Sequence, residues 1–179
     1  LLCELAAYLN NKNMEINVWD RIIAFEGRMH EFIKAAYDYQ DNTFHSHPGY
    51  YIDYFEMRLA QLQVLHNLHY EIKKIRKMPK QALVIADYIM YMADYVVEMN
   101  IPDQQIEKLE EISEQMKQEE LPKTREEFEG RALLYHILMD LEEFLVYKKR
   151  FVNGLDEKKL RIYWKQEMEQ KDSANELQK

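Results

Sequence analysis

The sequence predicts an all-α protein, an antiparallel helical bundle of four or more long helices with additional short helices. Three observations carry this. Only four glycines and four prolines serve 179 residues, so few turns can be built and the elements between them must be long. Apolar residues recur at every third or fourth position along most of the chain, the period of a helix with one buried stripe. Alternating Val/Ile/Thr runs are absent, so no strand is predicted.

The first apolar group, Leu1, Leu2, Leu5, Ala6 and Leu9, forms a short amphipathic piece ended by Asn10-Asn11. From about residue 14 to 41, Trp19, Ile22, Phe25, Met29, Ile33 and Ala36 make one stripe. Gly27 interrupts it at a cost of about 1 kcal/mol relative to Ala, which suggests a close helix contact. Asp41 to Gly49 is a loop closed by Pro48-Gly49. A second long helix runs from Tyr51 to Lys77 on Ile52, Phe55, Leu59, Leu62, Leu65, His69, Ile72 and Ile75, with Arg76 and Lys77 suiting its C-terminal dipole. Pro79 punctuates. A third carries Ala82, Ala86, Ile89, Ala93 and Val97 and stops at Asn100 before Pro102. A fourth runs from Asp103 to Gln118 on Ile106, Leu109, Ile112 and Met116.

The sharpest start signal is Thr124 before Arg125-Glu126-Glu127. It reads as a capping box, in which the Thr hydroxyl accepts the N3 amide and Glu127 reaches back to the Thr amide. The helix continues on Phe128, Ala132, Tyr135, Leu138, Leu141 and Leu145 to about Phe151, with Asn153-Gly154 as a left-handed stop. A last helix holds Leu160, Tyr163, Trp164 and Met168. Residues 1–170 then form one domain and 171–179 a frayed polar tail. Short connections make sequential helices antiparallel neighbours.

A net charge of −8 opposes general nucleic-acid binding, which needs a basic face. One cysteine, Cys3, excludes an internal disulfide and a multi-cysteine zinc site, and a lone thiol fits a reducing cytoplasm. No apolar run approaches the roughly 20 residues of a spanning helix. The chain opens on Leu1-Leu2, which reads as an excerpt of a longer protein.

Several groups invite chemistry. His66 and His69 stand at i, i+3, and His45 and His47 share a loop; none follows the Glu-x-x-His spacing of a di-iron bundle or the His-Glu-x-x-His of a zincin, so no metal or cofactor is expected. Tyr88, Tyr91 and Tyr95 lie at i, i+3, i+7, either a wet core rim or the wall of a pocket for a planar ligand. Lys73-Lys74-Ile75-Arg76-Lys77 with Lys80 is a basic run, either a solvated helix end or a surface for anionic lipid headgroups; Lys148-Lys149-Arg150 is a second. The stretch from Asp103 to Glu129 is acidic and reads as a solvated face. No phosphate loop, nucleophile elbow or kinase signature occurs, so an enzyme is not expected.

Leu121-Pro-Lys-Thr-Arg-Glu-Glu-Phe-Glu-Gly-Arg-Ala132, the following Leu-Leu-Tyr-His-Ile-Leu-Met-Asp-Leu-Glu-Glu-Phe-Leu145, Lys148-Lys-Arg-Phe151 and Tyr54-Phe-Glu-Met-Arg-Leu-Ala-Gln-Leu62 together resemble one family. Over nearly its whole length the chain is similar to the C-terminal soluble domain of the bacterial putative aromatic acid exporters. The resemblance implies an N-terminal membrane region outside this chain as its partner, a place on the cytoplasmic side of the cell membrane, and a regulatory, assembly or ligand-sensing role without catalysis. Homo-oligomerisation would suit such a tethered bundle. The competing reading is a free-standing helical interaction module. Arg58, Arg125 and Arg131 sit in the matching stretches beside Glu56, Glu127 and Glu129. They are either register-fixing salt bridges or carboxylate-gripping groups that, joined to the tyrosine stripe, would suit a small aromatic acid.

Overall fold

The computed structural model describes residues 1–10, 18–42 and 49–164. Seven helices follow one another: α1 (Leu2–Leu9), α2 (Val18–Asn42), α3 (Gly49–Lys74), α4 (Ala82–Ala93), α5 (Asp103–Lys117), α6 (Arg125–Asn153) and α7 (Glu157–Tyr163). The described residues contain no strand, and the chain is the all-α bundle that its periodicity predicts. The 41–49 loop with His45 and His47, the polar tail and Met168 fall wholly or mostly outside the described residues.

The side chains fix the helix directions. Tyr50 at the start of α3 touches Phe151 near the end of α6. Gln61 meets Phe144, and Pro79 beyond the end of α3 meets Gly130 near the start of α6. α3 and α6 are therefore antiparallel. The same holds for α2 and α3, where Trp19 meets His66 and Phe32 stacks on Phe55. It holds for α5 and α6, where Lys149 pairs with Asp103 at one end and Arg131 reaches Glu120 at the other.

The main core is built from Leu2, Leu5 and Leu9 of α1, Leu65, Leu68 and Ile72 of α3, Ile85 and Ile89 of α4, and Leu134, Ile137 and Leu141 of α6. α1 is too short to be stable alone and is held by packing its apolar face on α4. A second cluster, with Tyr50, Phe151, Val152 and Trp164, closes the end of the bundle where α7 docks. Among the long helices, α2 packs mainly on α3. Of its predicted stripe, Ile22 and Ala36 are buried while Phe25, Met29 and Ile33 are half-buried, which leaves a groove along one edge.

Several boundaries differ from expectation. α3 ends at Lys74, because a proline excludes helical geometry just before it and clashes with the carbonyl four residues back; Pro79 lies one turn beyond. α4 ends at Ala93 and relaxes into three-residue turns, Tyr95 N–H to Met92 O at 3.0 Å among them. That frees the following segment to bring Glu98 to Tyr50. Gly154 is right-handed (φ −80°, ψ −7°), so it is no left-handed stop. Thr124 caps α6 as predicted, accepting from Glu127 N–H at 3.1 Å. Glu127 instead accepts from Lys123 N–H at 3.0 Å, one residue earlier than a reciprocal box requires. Gly27 has nothing within 4 Å of where a Cβ would stand, so it marks no close contact in this fold. The glycine that does is Gly130, where a Cβ would lie 2.9 Å from Pro79 Cγ and 3.3 Å from the Lys77 carbonyl. Of the stripe expected on α6, Leu138, Leu141 and Leu145 are buried, but Phe128, Ala132 and Tyr135 are exposed, and Leu134 and Ile137 take the core positions in that half of the helix.

Candidate functional site

The groove between α2 and α3, closed below by α1 and by Phe144 of α6, has a volume of about 590 Å³. Successive turns of α3 present Tyr54, Arg58, Gln61 and Leu65 to it, at i, i+4, i+7 and i+11 on one helix face. Phe25 and Met29 of α2 form the opposite wall, and Phe55 and Leu62 extend the near one.

Arg58 is the charged side chain in this apolar lining. Its Nε donates to the Tyr54 hydroxyl at 3.0 Å and its Nη1 to Gln61 Oε1 at 2.9 Å. The guanidinium carbon lies 5.1 Å from the Tyr54 ring centre, within the range of a cation–π contact. Gln61 is itself buried and donates its Nε2 to the Phe144 carbonyl at 2.8 Å. The head group is thus fixed from two sides by neutral partners. No carboxylate lies within ion-pair distance of it among the described residues. A guanidinium carries five N–H donors, so donor capacity remains for a carboxylate entering an apolar slot.

Of the six residues that the sequence nominates, Tyr95 and Arg58 border one crevice, and the six do not form a common site. Tyr88 is buried and donates its hydroxyl to Gln105 O at 2.7 Å; burial pushes its pKa well above the usual phenol value. Tyr91 lies under the Lys108 ammonium, 3.8 Å from its ring centre, and Gln105 donates to its hydroxyl at 3.4 Å. Tyr95 contacts Tyr91 with ring centres 4.9 Å apart and lines a narrow crevice that Arg58 also borders. The stripe is real, but α5 covers its first two rings. Arg125 is exposed at the first turn of α6. Arg131 ties down the α5–α6 connection, donating to Glu120 O and to Glu127 Oε1, both at 2.6 Å. These two arginines lie at the opposite end of the bundle from Arg58, roughly 25 Å away at the rise of an α-helix.

The basic runs are also divided. Lys74 pairs with Glu71 at 2.7 Å and Lys80 with Glu119 at 3.1 Å, while Lys73, Arg76 and Lys77 are exposed. Lys148, expected beside Lys149 and Arg150 in a surface cluster, is buried. It donates to the Glu98 carbonyl and lies 5.3 Å from the Phe151 and Trp164 ring centres. Lys149 pairs with Asp103 at 3.1 Å. His66 packs edge-on against Trp19, 4.6 Å between ring centres. His69 is buried, and its pKa is lowered by burial, then by Lys73 and His66. No group of three or more His, Cys, Asp or Glu among the described residues could hold a metal ion.

Sequence reasoning missed Gln61, Phe25 and Met29 as partners of Arg58. The Tyr54–Arg58–Gln61 spacing was a usable signal, but only the packing of α2 on α3 shows which aromatic residues face it.

No helix among the described residues is long and apolar enough to cross a membrane. The chain is 32% identical over 98 residues to YqjA of Bacillus subtilis (strain 168), a protein described as uncharacterized; the match covers 55% of this chain and 30% of YqjA. The chain thus spans under a third of that curated relative. Its fold is similar to the crystal structure of a putative membrane protein from Clostridium difficile 630, with a TM-score of 0.74 and 26% identity, covering 84% of this chain and 87% of that one. The profile of the "Putative aromatic acid exporter C-terminal domain" matches residues 1–149, α1 through most of α6, and this chain belongs to that family.

Proposed function

We propose that this chain is the ligand-sensing domain of an exporter-family membrane protein, and that the groove at Arg58 takes a small aromatic carboxylate. The observation that carries the reading is a positioned guanidinium with no acidic partner, set in a slot walled by Tyr54, Phe55, Phe25 and Met29. A carboxylate held by a guanidinium away from bulk water makes a strong, directional charge-assisted pair. The apolar walls supply the area that a ring needs, and the volume falls within the range of small-molecule sites. The groove's side chains offer one guanidinium, a phenol, an amide and the Cys3 thiol, a chemistry suited to binding, so the role is recognition and not catalysis.

In this reading the domain stands on the cytoplasmic side, joined to a membrane region of its own protein. Exposed Lys73, Arg76 and Lys77 would favour anionic headgroups by about 1 kcal/mol per cation near the surface. Ligand occupancy would be relayed to the membrane part as a change in how α2 sits on α3.

Calorimetry with benzoate and hydroxybenzoates against the 179-residue chain tests the site. Binding is expected in the sub-millimolar range, with Arg58→Gln weakening it by about tenfold or more, as for loss of a charge-assisted bond. The matching benzamides should fail to bind. Equal binding of acid and amide, or no heat at millimolar acid, would overturn the assignment.

A further inference from the structure

Helix α6 has two apolar faces, and the monomer uses one. Leu134, Ile137 and Leu141 are fully buried on the inner face. On the outer face Phe128, Ala132, Tyr135 and Met139 follow i, i+4, i+7, i+11 spacing, and all four are exposed, Phe128 by 62% and Met139 by 64%. A helix bordering solvent ordinarily turns charge outward along that line. A continuous exposed apolar stripe marks an interaction surface.

We propose that the outer face of α6 pairs with the same face of a second copy of this chain, antiparallel, about a two-fold axis passing between positions 133 and 134. The stripe is complementary to itself in that orientation. Phe128 lies against Met139 of the second copy, and small Ala132 against large Tyr135, the alternation that lets facing rows interdigitate. A two-fold interface brings each patch onto its own reverse, and the flanking charges obey it too. Arg125 meets Glu142 of the second copy, which continues the stripe one turn beyond Met139, and on the flank Glu129 comes beside His136. Neither Arg125 nor Glu142 has an ion pair among the described residues. Parallel pairing would instead set Tyr135 on Tyr135, Arg125 on Arg125 and Glu129 on Glu129, opposing bulk with bulk and charge with like charge.

One helix pair is a small seam, at the weak end of specific interfaces. Tethering two copies to one membrane would raise their effective concentration and compensate for modest affinity. The dimer does not depend on the Arg58 groove and stands or falls separately from it.

Sedimentation equilibrium of the 179-residue chain, from about 5 µM to about 1 mM, covers the range expected of a weak interface. The expected result is a reversible dimer. Met139→Glu, on the solvent side of α6, should weaken it by about tenfold or more. Arg125→Glu should weaken it less, and Arg125→Glu combined with Glu142→Arg should restore it, while circular dichroism shows each variant folded. A monomer across the whole range, or a dimer indifferent to both Met139→Glu and the charge swap, would overturn the proposal. The latter result would place any self-association on another face.

Discussion

Arg58 and Gln61 are joined by a 2.9 Å hydrogen bond, and Gln61 passes the connection on to the Phe144 carbonyl at 2.8 Å. The buried amide does two things at once. It pins the groove's cation to α6, and it satisfies polar atoms of two helices at the floor of the groove.

Removing that amide should therefore affect both stability and recognition. Gln61→Leu keeps the volume but leaves Arg58 Nη1 short of a partner. The expected loss is about 1–3 kcal/mol, read as a fall of roughly 2–4 °C in Tm per kcal/mol for a chain of this size. Thermal denaturation followed by circular dichroism measures it. Aromatic-acid affinity should fall in the same variant while Arg58 is still present. An unchanged Tm would show that the Gln61 bridge is energetically idle.

The helical glycines of α2 and α6 should respond in opposite directions. Gly27 has open space around it, so Gly27→Ala gains helix propensity and should stabilise by about 0.5–1 kcal/mol. At Gly130 a methyl group would meet the Pro79 ring at 2.9 Å and the Lys77 carbonyl at 3.3 Å. The proline ring and a backbone carbonyl cannot swing aside as a flexible chain end would. Gly130→Ala should therefore destabilise by about 1–3 kcal/mol, the usual cost of overpacking. Urea titration of both variants checks the pair, and a stabilised Gly130→Ala would refute the close approach of the 75–81 turn to α6.

His69 should make the fold acid-sensitive. Burial, Lys73 and His66 all hold its folded pKa below 6.5, so the unfolded chain takes up a proton more readily. Stability is then complete above about pH 6.5 and is lost as pH falls toward the folded value, because protons favour the unfolded state there. His69→Leu should flatten that slope. Chemical denaturation at pH 7.5 and again at pH 5.5 measures it, and identical slopes in the two proteins would contradict the assignment.

Asp140 should act with the opposite sign. Its pKa is raised by burial first, then by Glu71 and Glu143, and its Oδ2 is buried without a hydrogen-bond partner. At neutral pH the ionised carboxylate is held against that preference. Asp140→Asn should raise Tm at pH 7, and the gain should shrink as pH falls through the raised value toward 3.8, where the wild-type group becomes neutral. Melting curves at pH 7 and pH 4 test it; a lower Tm at pH 7 would mean that the carboxylate has a favourable role.

The element order was legible because helix periodicity, scarce glycine and the Thr124 cap are local properties. The groove was only half legible. Arg58 and Tyr54 share a helix face whatever the fold, so their pairing follows from spacing. Tyr88, Tyr91 and Tyr95 also share a face, but that face meets α5, and the neighbour settled their role. Lys148 shows the same limit. Flanked by Lys149 and Arg150 it reads as surface charge, yet the docking of Trp164 and the turn at Glu98 bury it in an aromatic surround.

By itself the sequence determined that this chain forms rods, where most of them begin, and which residues ride together on each rod. Local backbone preference and the three-to-four repeat suffice for that, since both act within a few residues. Tertiary structure decided which face of each rod is covered. α6 carries apolar side chains on two sides, and only contact with α3, α4 and α5 selects Leu134 and Ile137 for the interior while leaving Phe128 and Met139 in solvent. Burial is a property of the whole assembly: free energy is gained where two surfaces exclude water together, and no single helix holds that information.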